Sequence, residues 1–298
     1  ELFAIEAEGI DYLSVEGIEV PEGTAVSMIG KDSASGFWKR VKAGAEQAVT
    51  DINEALGYTG NAKVKLTYDA PSKENVSEQI DIIDQMLDKN PDALIVGYVD
   101  VNSGKTQLEL AESNGVPVFA VDSSIQNSLI ETETKTDNYK AAAEAAAKLC
   151  EAIGDSGEVA LLVHNSETET GIEREKGFRE EIEQNHPNVQ IIDTTYVNQD
   201  ERSAEEIVAA VMAEHPELKA YFGTNDNVTR VLATVVSKFA LEGQTVVAAG
   251  FDTSAKLVQA VKDGTLTGVM GQDAFGMGYA CAVSALRSIA GLDNASVI

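Results

Sequence analysis

Val116-Pro117-Val118-Phe119-Ala120-Val121-Asp122-Ser123 is a short apolar, β-branched run that ends on a carboxylate and a hydroxyl. The pattern returns twice, in Phe222-Gly223-Thr224-Asn225-Asp226 and in Gly250-Phe251-Asp252. Each stretch puts a carboxylate or carboxamide where an apolar strand gives way to a loop. A strand that is apolar throughout, rather than at alternate positions, is covered on both faces, as in parallel sheets. In open α/β sheets small ligands bind outside the carboxyl ends of the strands. Polar groups converging there from separate strands point to a pocket for a neutral, hydroxyl-rich molecule.

The pattern extends outward from these stretches. Ala25–Ile29, Val64–Tyr68, Ala93–Val96 and Val116–Val121 read as strands, with helices over 37–56, 73–89 and 103–114. A second set has strands near 157–163, 189–197, 219–222, 245–250 and 266–270, with helices near 138–153, 172–185, 201–214, 227–241 and 254–262, and a last helix over 275–291. The alternation predicts parallel strands joined by right-handed crossovers. Gly57, Gly115 and Gly154 close helices, Pro91 and Pro117 precede strands, and Asp137 is placed to cap the helix that follows it. The fold class is α/β: two successive doubly wound parallel-sheet, Rossmann-like units with no low-complexity linker between them. Residues 1–23, acidic and without Lys or Arg, read as an extension, either a tether or an extra packed element.

The 298 residues suffice for two domains, and 44% hydrophobic with 24% charged residues is an ordinary globular balance. The formal charge of −27 disfavours phosphate backbones and anionic lipid surfaces, so nucleic-acid and membrane-surface binding are not expected. Cys150 and Cys281 fall in helices without a metal-ligand spacing and read as core residues. No metal and no cofactor is expected. The chain begins at Glu1 without a basic or apolar leader segment, and no apolar run is long enough to span a bilayer.

In order along the chain stand Phe37-Trp38, Val121-Asp122, Arg174-Glu175-Lys176-Gly177-Phe178, Asn225-Asp226, Gly250-Phe251-Asp252-Thr253 and Gly271-Gln272. This ordered set resembles the ribose-type periplasmic sugar-binding proteins, solute receptors of ABC importers with the type I periplasmic binding protein fold, which share their core with LacI-type repressors. The resemblance covers about residues 24–291. It implies a three-crossover hinge, an N-terminal sugar-binding lobe of 24–136 plus 273–291, a C-terminal lobe of 137–272 and a C-terminal end at 292–298. Ligand would sit in a cleft that closes by hinge bending. The family's last strand would follow residue 291, and the chain stops before much of it.

The resemblance implies that Asp122, Asn225, Asp252 and Gln272 bond sugar hydroxyls, with Ser35 and Ser123 as further polar contacts. Carboxylates accept hydroxyls in charge-assisted bonds, and carboxamides both donate and accept. Phe37 and Trp38 would cover the apolar face of a sugar ring, against the plainer reading of core residues. Asp226 reads as the cap of the helix after Asn225, and Arg174 as a structural arginine. Two positions depart from the ribose pattern: Ile172 stands where an arginine is expected, and Gln199 where a third aromatic is expected. Ribose in its usual geometry is therefore not expected. His164, Glu167 and Glu169 lie on a loop that offers substitutes, although solvated loop positions are the simpler reading.

The sequence has no Walker motif, no GxGxxG after the first strand, no HExxH and no GxSxG, and no enzymatic activity is expected. The leading expectation is an extracytoplasmic solute-binding protein, periplasmic or a cell-surface lipoprotein, that delivers a monosaccharide or polyol to an ABC permease as a monomer. The alternatives are a ligand-binding sensor of a signalling system and a receptor for an autoinducer-2-like ligand. The latter is suggested by Ala70-Pro71 after Thr67-Tyr68-Asp69, a turn similar to those of autoinducer-2 and rhamnose receptors. A repressor core would need a helix-turn-helix, for which 1–23 is too short and too acidic.

Overall fold

The computed structural model describes residues 6–7 and 9–298. The chain divides into two compact units, one running to Lys135 and resuming at Asp273–Ile298, the other Thr136–Gln272.

In the first unit, the two-residue strands β1 (Glu6–Ala7) and β2 (Ile10–Asp11) pair antiparallel. Then come β3 (Ala25–Ile29), α1 (Gly36–Leu56), β4 (Lys65–Asp69), α2 (Val76–Leu87), β5 (Ala93–Val96), α3 (Lys105–Ser113), β6 (Val118–Val121) and β7 (Ile130–Thr134). The second unit holds α4 (Asn138–Ala152), β8 (Gly157–Val163), α5 (Glu169–Asn185), β9 (Val189–Tyr196), α6 (Ala204–Glu214), β10 (Leu218–Gly223), α7 (Asp226–Leu241), β11 (Val247–Phe251), α8 (Ala255–Lys262) and β12 (Gly268–Met270). The last helix, α9 (Ala274–Ile289), belongs to the first unit.

Among the described residues each unit has one five-stranded parallel sheet, ordered β4-β3-β5-β6-β7 in the first and β9-β8-β10-β11-β12 in the second. Counted within each unit, both orders are 2-1-3-4-5. The order reverses between β3 and β5, and between β8 and β10, which are the positions where doubly wound sheets open a crevice.

The uniformly apolar strands are explained by cover on both faces. On β5, Ala93 and Ile95 pack with α1 and α9, while Leu94 and Val96 pack with α2 and α3. In the second unit Leu161, Val163 and Phe222 face α4 and α5, whereas Leu162 and Tyr221 face α6 and α7. Phe178 stacks on Phe222 at 4.4 Å between ring centroids. Helix α1 starts at the Ser35 cap, whose hydroxyl accepts the Phe37 N–H, and stops at Gly57, whose φ of 68° closes the last turn. Helices α1 and α9 meet backbone to backbone: a Cβ on Gly44 would overlap the Phe275 carbonyl, and one on Gly278 would overlap that of Val41.

One feature was not legible, and two others settle what the sequence left open. Strand β7, Ile-Glu-Thr-Glu-Thr, has no apolar run because it lies at the sheet edge. From Gly9 onward the acidic extension is a packed element: Tyr12, Ile18 and Val20 are buried, and the Tyr12 hydroxyl accepts the Ala295 N–H at 2.7 Å. Residues 1–5 and 8 of that extension lie outside the described residues. The C-terminal end continues the sheet, with Val297 bridging Glu133 in parallel and the Lys135 N–H donating to the Ile298 carbonyl.

Candidate functional site

Each unit carries a polar edge at the carboxyl ends of its strands. In the first unit the edge is built on Asp122, which follows β6 with φ at 66°. A non-glycine residue in the left-handed region is uncommon, and Asp is among the few that tolerate it. The backbone is held there by the Asp122 N–H, which donates to the last carbonyl of β7, that of Thr134, at 2.9 Å. The Asp122 carboxylate is 4% exposed and takes the Lys31 ammonium on Oδ2 at 2.8 Å. Lys31 follows β3 and lies 5.8 Å from the Trp38 ring centroid. Ser123 is 1% exposed, and its hydroxyl has no hydrogen-bond partner among the described residues.

Across the β3/β5 reversal, Gln79 of α2 fixes the two strand ends together. Its Nε2 donates to the Gly30 carbonyl at 3.0 Å and the Gly97 carbonyl at 2.7 Å, and its Oε1 accepts the Val99 N–H at 3.0 Å. Phe37 and Trp38 are both placed in the core cluster, the tryptophan 3% exposed and edge-on to Phe37 at 5.8 Å. Trp38 lies against Gly30 and Gly97, where any side chain would collide with the indole. Ser35 spends its hydroxyl on the helix cap.

The second unit repeats the backbone device. Asp252, after β11, has φ at 77°, and its N–H donates to the last carbonyl of β12, that of Met270, at 2.8 Å. Its carboxylate is held on both oxygens: Oδ2 accepts the Asp226 N–H at 2.8 Å and Oδ1 accepts Gln272 Nε2 at 2.7 Å. Gln272 is oriented in turn by Arg174, whose Nη2 donates to its Oε1 at 2.8 Å. Arg174 is 2% exposed, donates to Asn138 Oδ1 and to the Thr224 carbonyl, and stacks on Phe251 with its Cζ 3.9 Å from the ring centroid. Arginine's planar fork allows all of these bonds at once.

Across the β8/β10 reversal, His164 Nδ1 lies 2.7 Å from Thr224 Oγ1, with Nε2 near the Thr168 and Thr170 hydroxyls at 3.3 and 3.4 Å. His164 is therefore a buried residue at the sheet edge, not a solvated loop position. A second correction concerns the following turn. Asn225, not Asp226, caps α7 through Oδ1 and the Val228 N–H, while Asp226 pairs with Arg230. Glu169 opens α5, Glu167 is exposed, and Ile172 is 40% exposed. Gln199 lies in a short 3-10 turn and donates to Ser166 Oγ at 2.8 Å.

The sequence reading missed Lys31 and Gln79. Lysine after an apolar strand was a visible signal; Gln79 sits mid-helix with nothing local to mark it. Among the described residues no cluster of three metal-ligating side chains occurs, and no helix is long and apolar enough to cross a membrane.

The sequence profile of the periplasmic binding protein domain matches residues 26–293. The chain is 24% identical over 201 residues to the ribose import binding protein of Bacillus subtilis, covering 67% of this chain and 64% of that one. It is 23% identical over 209 residues to the D-apiose import binding protein of Paraburkholderia graminis, covering 68% and 66%. The chain thus spans slightly less than two thirds of these relatives. The D-ribose/D-allose-binding protein of Pseudomonas aeruginosa is 22% identical over 285 residues, covering 94% and 86%. Among solved structures, a carbohydrate transporter solute-binding protein from Agrobacterium radiobacter in complex with D-arabinose superposes with a TM-score of 0.83 at 23% identity, covering 92% of this chain and 91% of that one. A solute-binding protein from Agrobacterium vitis bound to α-D-tagatopyranose gives 0.82 at 24%, covering 92% of each chain. The shared architecture is the type I periplasmic binding protein fold.

Proposed function

Because the chain belongs to the periplasmic binding protein domain family, we propose that it is a solute receptor that captures a neutral monosaccharide or polyol outside the cytoplasmic membrane and delivers it to an ABC permease. Capture is equilibrium binding and needs no catalytic group. Supporting the reading are the names of the relatives, which are import binding proteins for ribose and apiose. The observation that carries it is the pair of aspartates, Asp122 and Asp252, each held in the left-handed region at a strand end. Strained backbone of this kind clusters at ligand sites.

In this reading Asp122 and Asp252 accept ligand hydroxyls, Gln272 adds an amide, and Ser123 offers a hydroxyl that has no partner among the described residues. Asn225 contributes through its Nδ2, its Oδ1 being taken by the helix cap. Ser35, Phe37, Trp38, Glu169 and Gln199 are further candidates. The receptor acts as a monomer.

A thermal-shift screen of the whole chain tests the proposal, with D-ribose, D-allose, D-arabinose, D-apiose, D-fucose, D-tagatose, xylitol and autoinducer-2 as probes. A ligand at about 100 times its Kd stabilises the native state by about 2.7 kcal/mol, a readable shift. A selective response to one sugar is expected. A flat response to the whole panel refutes the receptor reading.

A further inference from the structure

We propose that His164 is a positioning residue for ligand capture by the second unit: by holding Thr224 at the end of β10, it sets the direction in which Asn225 is presented to a ligand. The proposal rests on the receptor reading above and adds to it a residue that acts through its neighbour.

Strands β8 and β10 run in parallel register as far as Leu162 and Gly223, and the Thr224 N–H donates to the Leu162 carbonyl at 3.2 Å. Beyond that rung His164 continues the tie between the two strand ends. Its own N–H donates to Thr224 Oγ1 at 2.9 Å, and its ring Nδ1 lies 2.7 Å from the same oxygen. One residue thus grips the Thr224 hydroxyl from two directions. The Thr224 carbonyl is taken separately by Arg174 Nη1 at 2.7 Å. The N–H, hydroxyl and carbonyl of this fully buried threonine are all engaged.

What they fix is the next residue. Asn225 leaves Thr224 in extended backbone, with φ −154° and ψ 178°, and its Oδ1 is held by the Val228 N–H. The direction of its amide therefore follows from where Thr224 is placed. Arg174 also holds Gln272, and Gln272 holds Asp252. One chain of contacts runs from His164 through Thr224, Arg174 and Gln272 to Asp252, along the carboxyl edge of the sheet.

The position of this cluster points to the ligand edge. His164 Nε2 faces the buried hydroxyls of Thr168 and Thr170. Burying so many polar atoms is costly unless they bond one another, and a satisfied cluster then specifies one arrangement. In the first unit the corresponding reversal is tied by Gln79, through the Gly30 and Gly97 carbonyls. Both units place a buried polar tie where doubly wound sheets bind ligands, each with a different side chain.

The test uses the full chain, with isothermal titration of D-ribose, D-allose, D-arabinose, D-apiose, D-fucose, D-tagatose and xylitol, and urea unfolding of each variant. His164→Leu removes the ring nitrogens at similar volume. His164→Asn keeps an amide near the place of Nδ1, and Thr224→Val removes the same bond from the other side. The expected result is an affinity loss of about tenfold or more in folded His164→Leu and in Thr224→Val. His164→Asn should return to within about threefold of wild type, and the double variant His164→Leu with Thr224→Val should bind no worse than either single one. A purely structural tie would lower the urea midpoints and leave the affinities unchanged, which overturns the proposal. So does an asparagine variant as weak as the leucine one, or a double variant whose losses add. Should His164→Leu not fold, Thr224→Val decides by the same thresholds, and failure of both to fold overturns the proposal in favour of a structural role. A wild type that binds none of these sugars overturns the receptor reading and this proposal with it. A wild type that binds alongside variants of equal affinity overturns this proposal alone.

Discussion

Arg174 is the residue on which the second unit's polar edge hangs, and replacing it with methionine gives a loss that can be worked out. The guanidinium donates to Asn138 Oδ1 at 2.8 Å, to the Thr224 carbonyl at 2.7 Å and to Gln272 Oε1 at 2.8 Å. Methionine keeps the apolar stem against Phe251 but donates nothing. Gln272 Oε1 retains the Thr136 hydroxyl at 3.1 Å, so two acceptors, on Asn138 and Thr224, lose this donor outright. At about 1–3 kcal/mol for each buried acceptor left without its bond, the loss is about 2–6 kcal/mol. Relief of the buried charge's desolvation offsets part of that. A net loss of about 3 kcal/mol is expected, large for one substitution. Urea unfolding followed by far-ultraviolet circular dichroism measures it, with linear extrapolation to water. The sole tryptophan, Trp38, lies in the first unit, so its fluorescence followed in the same titration identifies which unit has been weakened. A loss below about 1 kcal/mol would refute the reasoning, because the acceptors would then be satisfied without the guanidinium.

Other expectations follow from particular contacts. Asp252→Ala should be less stable than Asp252→Asn by about 1 kcal/mol in urea, since asparagine tolerates the left-handed backbone that alanine resists; equal stabilities would show that the strain is not borne at this residue. Gly44→Ala and Gly278→Ala should each lower stability by about 1–3 kcal/mol, because the added methyl has a helix carbonyl in its place, and an unchanged melting temperature would contradict the close approach of α1 and α9. The thiols give a pH dependence. Burial, reinforced by the charges of Asp155 and Glu181, pushes Cys150 from its ordinary 9.0 up to about 11. Burial pushes Cys281 up to about 12 against the Thr134 and Ser284 hydroxyls. The unfolded chain releases these protons above 9.0 while the folded chain keeps them. Their stabilising contribution is therefore complete below 9.0 and is lost as pH climbs through the window up to about 11 and about 12. At about pH 8 the native protein should resist iodoacetamide and the urea-unfolded chain should take up one alkyl group per cysteine by mass; native labelling at the unfolded rate would refute their burial.

The sequence by itself determined the two doubly wound sheets, because apolar periodicity, glycine stops and helix caps are local signals that survive without tertiary context. It also determined that Asp122 and Asp252 end strands, since a carboxylate after Val121 or Phe251 interrupts an apolar run. It did not reveal β7, whose alternating Ile-Glu-Thr-Glu-Thr belongs to a sheet edge with no apolar run to show. Only the tertiary structure decided how the polar groups are spent. Asn225 and Asp226 are adjacent and both suited to capping, and the choice went to Asn225 because the Asp226 carboxylate is drawn to Arg230 on the next turn. Lys31 meets Asp122, Gln79 ties Gly30 to Gly97, and Arg174 orients Gln272 toward Asp252, all between elements far apart in the chain. Such partnerships exist only once the strands have been ordered 2-1-3-4-5. That order depends on which buried faces meet, and no local pattern of residues encodes it.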